Sequence, residues 1–295
     1  MQALLEQIAK DVRPLANSGR VAQYIPALAA VSPAKFGIAL VQADGTEFTF
    51  GDAEEPFSIQ SISKLFALSL AMEWLGDGLW EKVGREPSGM RFNSLIQLET
   101  ESGRPRNPFI NAGAIATTGA LMEHRPDYEA ALLGELRALS GNPGISRDTQ
   151  VHSSEIATGD LNRAMAFVLK AHGTLSGDPI EVTDTYFASC SIAMSALDLA
   201  RAAMFLVCPQ EGKAICRSGT HARRVRAIMR TCGMYDQSGE FAYRVGMPGK
   251  SGVGGGIIVV HPGAFAACVW SPPLDAYGNS VAGQAALEKV SLQLL

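Results

Sequence analysis

Strand-like alternation occurs only near the two ends of this chain, and that most limits what it can fold into. Phe36, Ile38 and Leu40 alternate with smaller residues. After Asp44-Gly45, Phe48 and Phe50 alternate with Glu47 and Thr49. Two alternating runs around Asp-Gly predict a β-hairpin. Strand character returns at Gly256 to Val260 and Ala264 to Trp270, around a His261-Pro262-Gly263 turn. Between these ends the chain reads as helix. Ile59 to Leu75 is apolar on most faces, as a buried helix is. Residues 110 to 210 carry helical patterning, broken at Gly141-Asn142-Pro143-Gly144 and Gly177-Asp178-Pro179. Helices also close both termini, one over residues 1 to 13 limited by Pro14, the other over Ala282 to Leu295. The expected class is α+β, with one antiparallel sheet built from both chain ends and a helical insertion. The division falls within one domain over 1–295: sheet parts at about 1–63 and 220–295, a helical part at about 64–219.

Composition narrows the function. Lys plus Arg is 25 and Asp plus Glu is 29, a net charge of −4. A nucleic-acid partner favours a basic excess, which is absent. Arg223-Arg224-Val225-Arg226 with Arg230 reads as a solvated helix face. The five cysteines, Cys190, Cys208, Cys216, Cys232 and Cys268, form no CxxC pair. They read as small buried hydrophobes of a reducing compartment rather than a disulfide or zinc framework. The five histidines never pair at helical spacing, so no metal is expected. Glu6 and Asp11 interrupt any signal-peptide core, and no uninterrupted apolar run reaches about 18 residues. The expectation is a soluble cytoplasmic protein with no membrane partner.

Two nucleotide-like patterns fail on context. Gly249-Lys250-Ser251 imitates the end of a P-loop, but Arg244 stands where the motif needs glycine. The glycines from 252 to 256 precede a strand, whereas a dinucleotide fingerprint follows one. Serine chemistry fits better. In Ser61-Ile62-Ser63-Lys64, a spacing of three puts Ser61 and Lys64 on one helix face. Free amides at that helix start can hold an oxyanion. Burial among Ile62, Leu65, Phe66 and Leu68 lowers the Lys64 pKa, as a lysine base requires. A second S-x-x-K at Ser32 to Lys35 stands in a turn before a strand and is read as incidental. Lys250-Ser251-Gly252 matches the K-[ST]-G that serine acyl-transferases place beside the nucleophile. The Val253 amide there can be a second oxyanion donor.

With these motifs the sequence resembles the bacterial glutaminases, relatives of serine β-lactamases and penicillin-binding proteins. The resemblance runs from about Val21 to the C-terminus. It rests on Val21 to Pro26, Gln60 to Lys64, Glu86 to Asn93, Asn107 to Ile115, Cys232 to Asp236 and Lys250 to Val253, in that order. It implies a β-lactamase/transpeptidase-like fold, hydrolysis of L-glutamine without a cofactor, and a homo-oligomer, specifically a tetramer. The absence of Ser-Asp-Asn counts against β-lactam hydrolysis. By the resemblance, Ser61 is the nucleophile, with Lys64 and Tyr235 as proton-transfer partners. The amides of Ser61 and Val253 form the oxyanion hole. Tyr24, Asn111, Glu155, Asn162 and Tyr186 hold the α-amino and α-carboxylate groups, with Gln60 lining the pocket.

That set also makes chemical sense, because a buried amino acid needs partners for both charges. Seven residues separate Glu155 from Asn162, which predicts one helix stripe for both. A Lys64 ammonium close to Tyr235 is expected to lower the phenol pKa. Two rival readings are a penicillin-recognising serine hydrolase or peptidase, and a catalytically silent amino-acid-binding protein.

Overall fold

The computed structural model describes residues 1–209, 215 and 218–295, so Cys216 lies outside the described residues. In chain order the elements used below are α1 (Gln2–Val12), β1 (Gly37–Gln42), β2 (Glu47–Gly51) and β3 (Phe57–Ser58). Then come α2 (Ser63–Trp74), α3 (Asn111–His124), β4 (Ser146–Arg147), α4 (Thr149–Thr158), α5 (Asp160–Ala171) and α6 (Pro179–Cys190). The chain continues with β5 (Ile192–Met194), α7 (Ala196–Ala202), α8 (Gly219–Cys232), β6 (Gly249–Ser251), β7 (Gly256–His261), β8 (Phe265–Trp270) and α9 (Val281–Leu294).

The main sheet has the order β2-β1-β8-β7-β6 and is antiparallel throughout. Its N-terminal hairpin turns at Asp44-Gly45, where Gly45 takes φ +87°. Strand β1 lies directly against β8, with Ile38 opposite Val269 and Leu40 opposite Ala267. The sheet expected from both chain ends is present, and the fold is α+β.

Alternation along these strands separates two cores. Ile38, Leu40, Ile257, Val259, Ala267 and Val269 point to one face. There they meet Leu5, Ile8 and Val12 of α1, a stripe at helical spacing, and Ala282, Ala286, Leu287 and Val290 of α9. Ala39, Val41, Ile258, Val260, Ala266, Cys268 and Trp270 point to the other face, toward α2, α7 and α8. Helix α2 is buried from Ser63 to Met72, which explains why its sequence is apolar all round. The arginine-rich α8 turns Ala222, Val225, Ile228 and Met229 inward, while Arg223, Arg224 and Arg230 stay exposed.

A second sheet, β3-β5-β4, has no counterpart in the sequence reading. Its strands are two or three residues long and carry no alternation to detect. It nevertheless anchors the segment that leads into α2. Ser58 Oγ donates to the Cys190 carbonyl at 2.9 Å, and the Ile59 amide to the Ile192 carbonyl at 2.9 Å. The Phe57 ring stacks on Trp270, centroids 4.9 Å apart, joining the small sheet to the large one.

Leu40 is fully buried on the central strand pair. Leu40→Ala should destabilise the protein by about 2–5 kcal/mol through lost burial and the cavity left behind. Urea unfolding midpoints measure it, and a change under 1 kcal/mol would contradict the two-sided core.

Candidate active site

Ser61 sits in a single 3-10 turn, Gln60–Ile62, between the small sheet and α2. Two backbone features hold this turn. Gln60 adopts φ +49°, a left-handed conformation that costs a non-glycine residue about 1–3 kcal/mol. Opposite lies the loop after β6, which approaches backbone to backbone. A Cβ on Gly252 would meet the Ile59 carbonyl oxygen at 2.5 Å, and one on Gly254 the Ser58 carbonyl oxygen at 2.3 Å. Only glycine permits that approach. It brings Val253 to the cleft beside Ser61. Among the described residues, neither the Ser61 nor the Val253 amide donates a backbone hydrogen bond.

Ser61 opens into a cleft of about 310 Å³. Its walls bring together eight of the ten expected site residues: Tyr24, Gln60, Ser61, Asn111, Glu155, Asn162, Tyr186 and Val253. The other two, Lys64 and Tyr235, are buried behind that wall. Phe92, Asn93 and Cys190 also line it, with no role foreseen for them. Phe92 and Asn93 belong to the Glu86 to Asn93 motif, which was the available signal. The Phe92 carbonyl accepts from the Asn111 amide at 2.8 Å, tying that motif to the start of α3. Cys190 reads in sequence as a core cysteine, and its thiol is buried, with its pKa pushed up to about 12 by burial.

Lys64 is 2% exposed. Its Nζ donates to Asn111 Oδ1 at 2.6 Å and to the Phe109 carbonyl at 3.2 Å. The Asn111 Nδ2 donates to Asn162 Oδ1 at 2.9 Å, and the Tyr186 hydroxyl reaches Asn111 Oδ1 at 3.4 Å. Burial pushes the Lys64 pKa down to about 8, opposed by Cys190 and Glu155. Glu155 is itself buried, and burial raises its pKa; Gln60 and the Lys64 ammonium pull the other way.

Two expectations need correction. Glu155 and Asn162 do not share a helix: Glu155 is on α4 and Asn162 on α5, divided at Gly159. A Cβ on Gly159 would meet the Phe187 ring at 2.2 Å, so α6 packs into the break. Both side chains still face the cleft. Tyr235 is also not lowered by Lys64. Burial raises its phenol pKa above the ordinary value, while the Ser61 and Ser251 hydroxyls favour the phenolate more weakly.

Tyr235 is the second strained residue here, at φ +52°. Its ring lies 4.6 Å from that of Phe92, and Lys250 Nζ stands 4.9 Å from its centroid. Lys250 is fully buried on edge strand β6 and donates to the carbonyls of Gly233 at 3.3 Å and Ser251 at 2.5 Å. By contrast, Ser32 lies in an exposed turn and Lys35 pairs with Asp52 at 3.6 Å and with Glu55. That second S-x-x-K forms no site.

A sequence-family profile described as Glutaminase matches residues 19–294. A glutaminase of Paraburkholderia phytofirmans is 51% identical over 97% of this chain and 95% of its own length. One of Streptomyces coelicolor is 50% identical over 97% of this chain and 94% of its own. Among solved structures, the probable glutaminase of Bacillus subtilis superposes with TM-score 0.90 at 30% identity, covering 99% of this chain and 96% of that one. Mglu in its glutamate form gives TM-score 0.88 at 34% identity, covering 97% of this chain and 66% of that one. The fold is that of an α+β hydrolase. The chain belongs to the glutaminase family.

The buried Lys64 makes stability depend on pH. Its native pKa, about 8, lies below the ordinary 10.5. Below pH 8 it is charged in both native and unfolded states, and the full burial penalty applies. Above that the native group loses its proton first, so the penalty is relieved as pH rises toward 10.5. Lys64→Met removes this dependence. Its stability relative to wild type should fall by about 2–3 kcal/mol between pH 7.5 and 10. Urea midpoints of both proteins across that range check it; a constant difference would contradict the shifted lysine.

Proposed function

We propose that this cleft hydrolyses the side-chain amide of L-glutamine to L-glutamate and ammonia through an acyl-enzyme on Ser61. The observation that carries the reading is the cleft itself. A serine and polar groups suited to a free amino acid line it, with a lysine of pKa lowered to about 8 buried behind them, in a chain of the glutaminase family. Glu155 takes the substrate ammonium, and that charge restores its carboxylate against the effect of burial. Asn111, Asn162, Tyr24 and Tyr186 hold the carboxylate. The γ-amide then reaches Ser61.

Neutral Lys64 accepts the Ser61 proton, and Oγ attacks the amide carbon. The amides of Ser61 and Val253 stabilise the oxyanion. The leaving nitrogen must be protonated. A phenol with a raised pKa retains its proton at neutral pH, so Tyr235 delivers it and is reprotonated by the Lys64 ammonium, which carries the proton taken from Ser61. Water then attacks the ester by the reverse path. The proposed steps use side chains, backbone amides and water.

Residues 1–295 act in this reading as one catalytic domain. The family resemblance further supports a cytoplasmic homotetramer, which sedimentation of the purified protein tests.

Ser61→Ala should abolish nearly all ammonia release while unfolding unchanged, and Ser32→Ala should be neutral. Retention of over a tenth of wild-type activity by Ser61→Ala would end the covalent mechanism. The wild-type kcat should rise with pH through about 8, as Lys64 loses its proton. Tyr235→Phe should lose about 100-fold in kcat with KM little changed, the range for a positioned acid–base group. Equal kcat for the two proteins at every pH would make Tyr235 a pocket wall only.

Asparagine is one methylene shorter. With its α-groups held, its carbonyl stops short of Ser61, and a displacement of about 1 Å costs on the order of 100-fold. Comparable kcat/KM for asparagine and glutamine would contradict a pocket that grips both ends.

A further inference from the structure

The Tyr235 phenol is buried near the hydroxyls of Ser61 and Ser251. Among the described residues it forms no hydrogen bond. Its place is therefore set from the backbone end and by what packs on the ring. That backbone is strained: Tyr235 opens a single 3-10 turn, Tyr235–Gln237, at φ +52°. A non-glycine residue stays in that region only where its surroundings over-determine it. Ser238 Oγ accepts from the Met234 amide and donates to the Tyr235 carbonyl, both at 3.0 Å. Those bonds lie within the turn's own segment and move with it.

A hold from outside that segment comes from the loop before α9. Asn279 is fully buried there. Its Nδ2 donates to the Met234 carbonyl at 3.2 Å and to Gln237 Oε1 at 2.7 Å. The first bond bears directly on φ. The Met234 carbonyl belongs to the rigid peptide plane that enters Tyr235, and φ is the rotation of Tyr235 against that plane. Fixing the carbonyl fixes the plane. The second bond reaches the last residue of the turn, so one side-chain amide spans it. Asn279 is itself held. Its backbone amide donates to Asp275 Oδ1 at 3.0 Å and its carbonyl accepts from the Asp275 amide at 2.8 Å. Asp275 Oδ2 in turn accepts from Gln284 Nε2 of α9 at 2.9 Å. The same loop lies on the reaction centre: a Cβ on Gly278 would stand 3.6 Å from both the Tyr235 ring and Val253 Cγ1.

We propose that Asn279 is a positioning residue that holds Tyr235 in its strained conformation and so aims the phenol at Ser61. This role rests on the acyl-enzyme reading above, in which Tyr235 protonates the leaving nitrogen. Without the Asn279 amide the plane is free to turn, φ relaxes toward negative values and the phenol swings away from Ser61. The groups that hold the glutamine α-amino and α-carboxylate, and Lys64, stay as they are.

The test measures kcat and KM for ammonia release from glutamine against pH, in wild type, Asn279→Ala, Tyr235→Phe and the double variant. Leu40→Ala, destabilised in the sheet, is the control. Asn279→Ala should lower kcat by about 10- to 100-fold, the scale of a misplaced acid–base group. KM and the pH midpoint near 8 should be unchanged. In the Tyr235→Phe background the substitution should cost nothing more, and folded Leu40→Ala should keep its kcat. A wild-type kcat in Asn279→Ala beside an impaired Tyr235→Phe overturns this role alone. So does a matching rise in KM, a moved midpoint, an equal loss in Leu40→Ala, or losses that multiply in the double variant. Asn279→Ser, whose hydroxyl is too short to reach both partners, repeats the test if the alanine variant does not fold. Failure of both to fold would make Asn279 a folding residue and overturn the role as well. An unimpaired Tyr235→Phe would overturn the assignment of Tyr235 as the acid, and this role with it.

Discussion

Two stretches of bare backbone pressed together hold this molecule's chemistry in place. Residues 58–61 and 252–254 meet with no side chain between them, because Gly252 and Gly254 leave no Cβ to intervene. One stretch hangs from the small sheet and leads into the buried helix; the other is the loop between two strands of the large sheet. Their contact joins the helical and sheet-bearing parts beside Ser61. The positive φ of Gln60 and of Tyr235 is the strain of holding that arrangement, and surrounding packing must offset it.

Burial does the electrostatic work. The same removal from water lowers Lys64, raises Glu155 and raises Tyr235. In the proposed mechanism this separates a base, an ammonium receptor and an acid among groups that would titrate ordinarily in solvent. The Lys64–Asn111–Asn162 chain ties the buried lysine to two residues that line the cleft.

Much of this was legible in the sequence, for identifiable reasons. The Asp44-Gly45 hairpin and the all-round apolar α2 are local patterns, and local patterns survive in one dimension. The Ser61–Lys64 spacing is likewise local. The β3-β5-β4 sheet was not legible, because pairs of two residues have no period. The division at Gly159 was hidden since a glycine within a helical pattern does not show that a ring from α6 will pack against it. The rise in the Tyr235 pKa was missed because burial depends on Phe92, Lys250 and Ser251, which only the fold brings together. The grouping of Tyr24, Asn111, Glu155 and Tyr186 came from family resemblance; no spacing rule links positions so far apart.

The pairing of β1 with β8 has a consequence for how the protein is made. Val41 lies opposite Ala266, so the central pair of the sheet closes over most of the chain's length. Contacts of such long sequence separation form late and slow folding. While the chain emerges from the ribosome, the N-terminal hairpin carries an unpaired edge along β1. That edge stays open until β8 is synthesised. The Val253 amide arrives with the last strands. A chain truncated before them has Ser61 and Lys64 but not the Val253 amide, and carries an open sheet edge that invites aggregation.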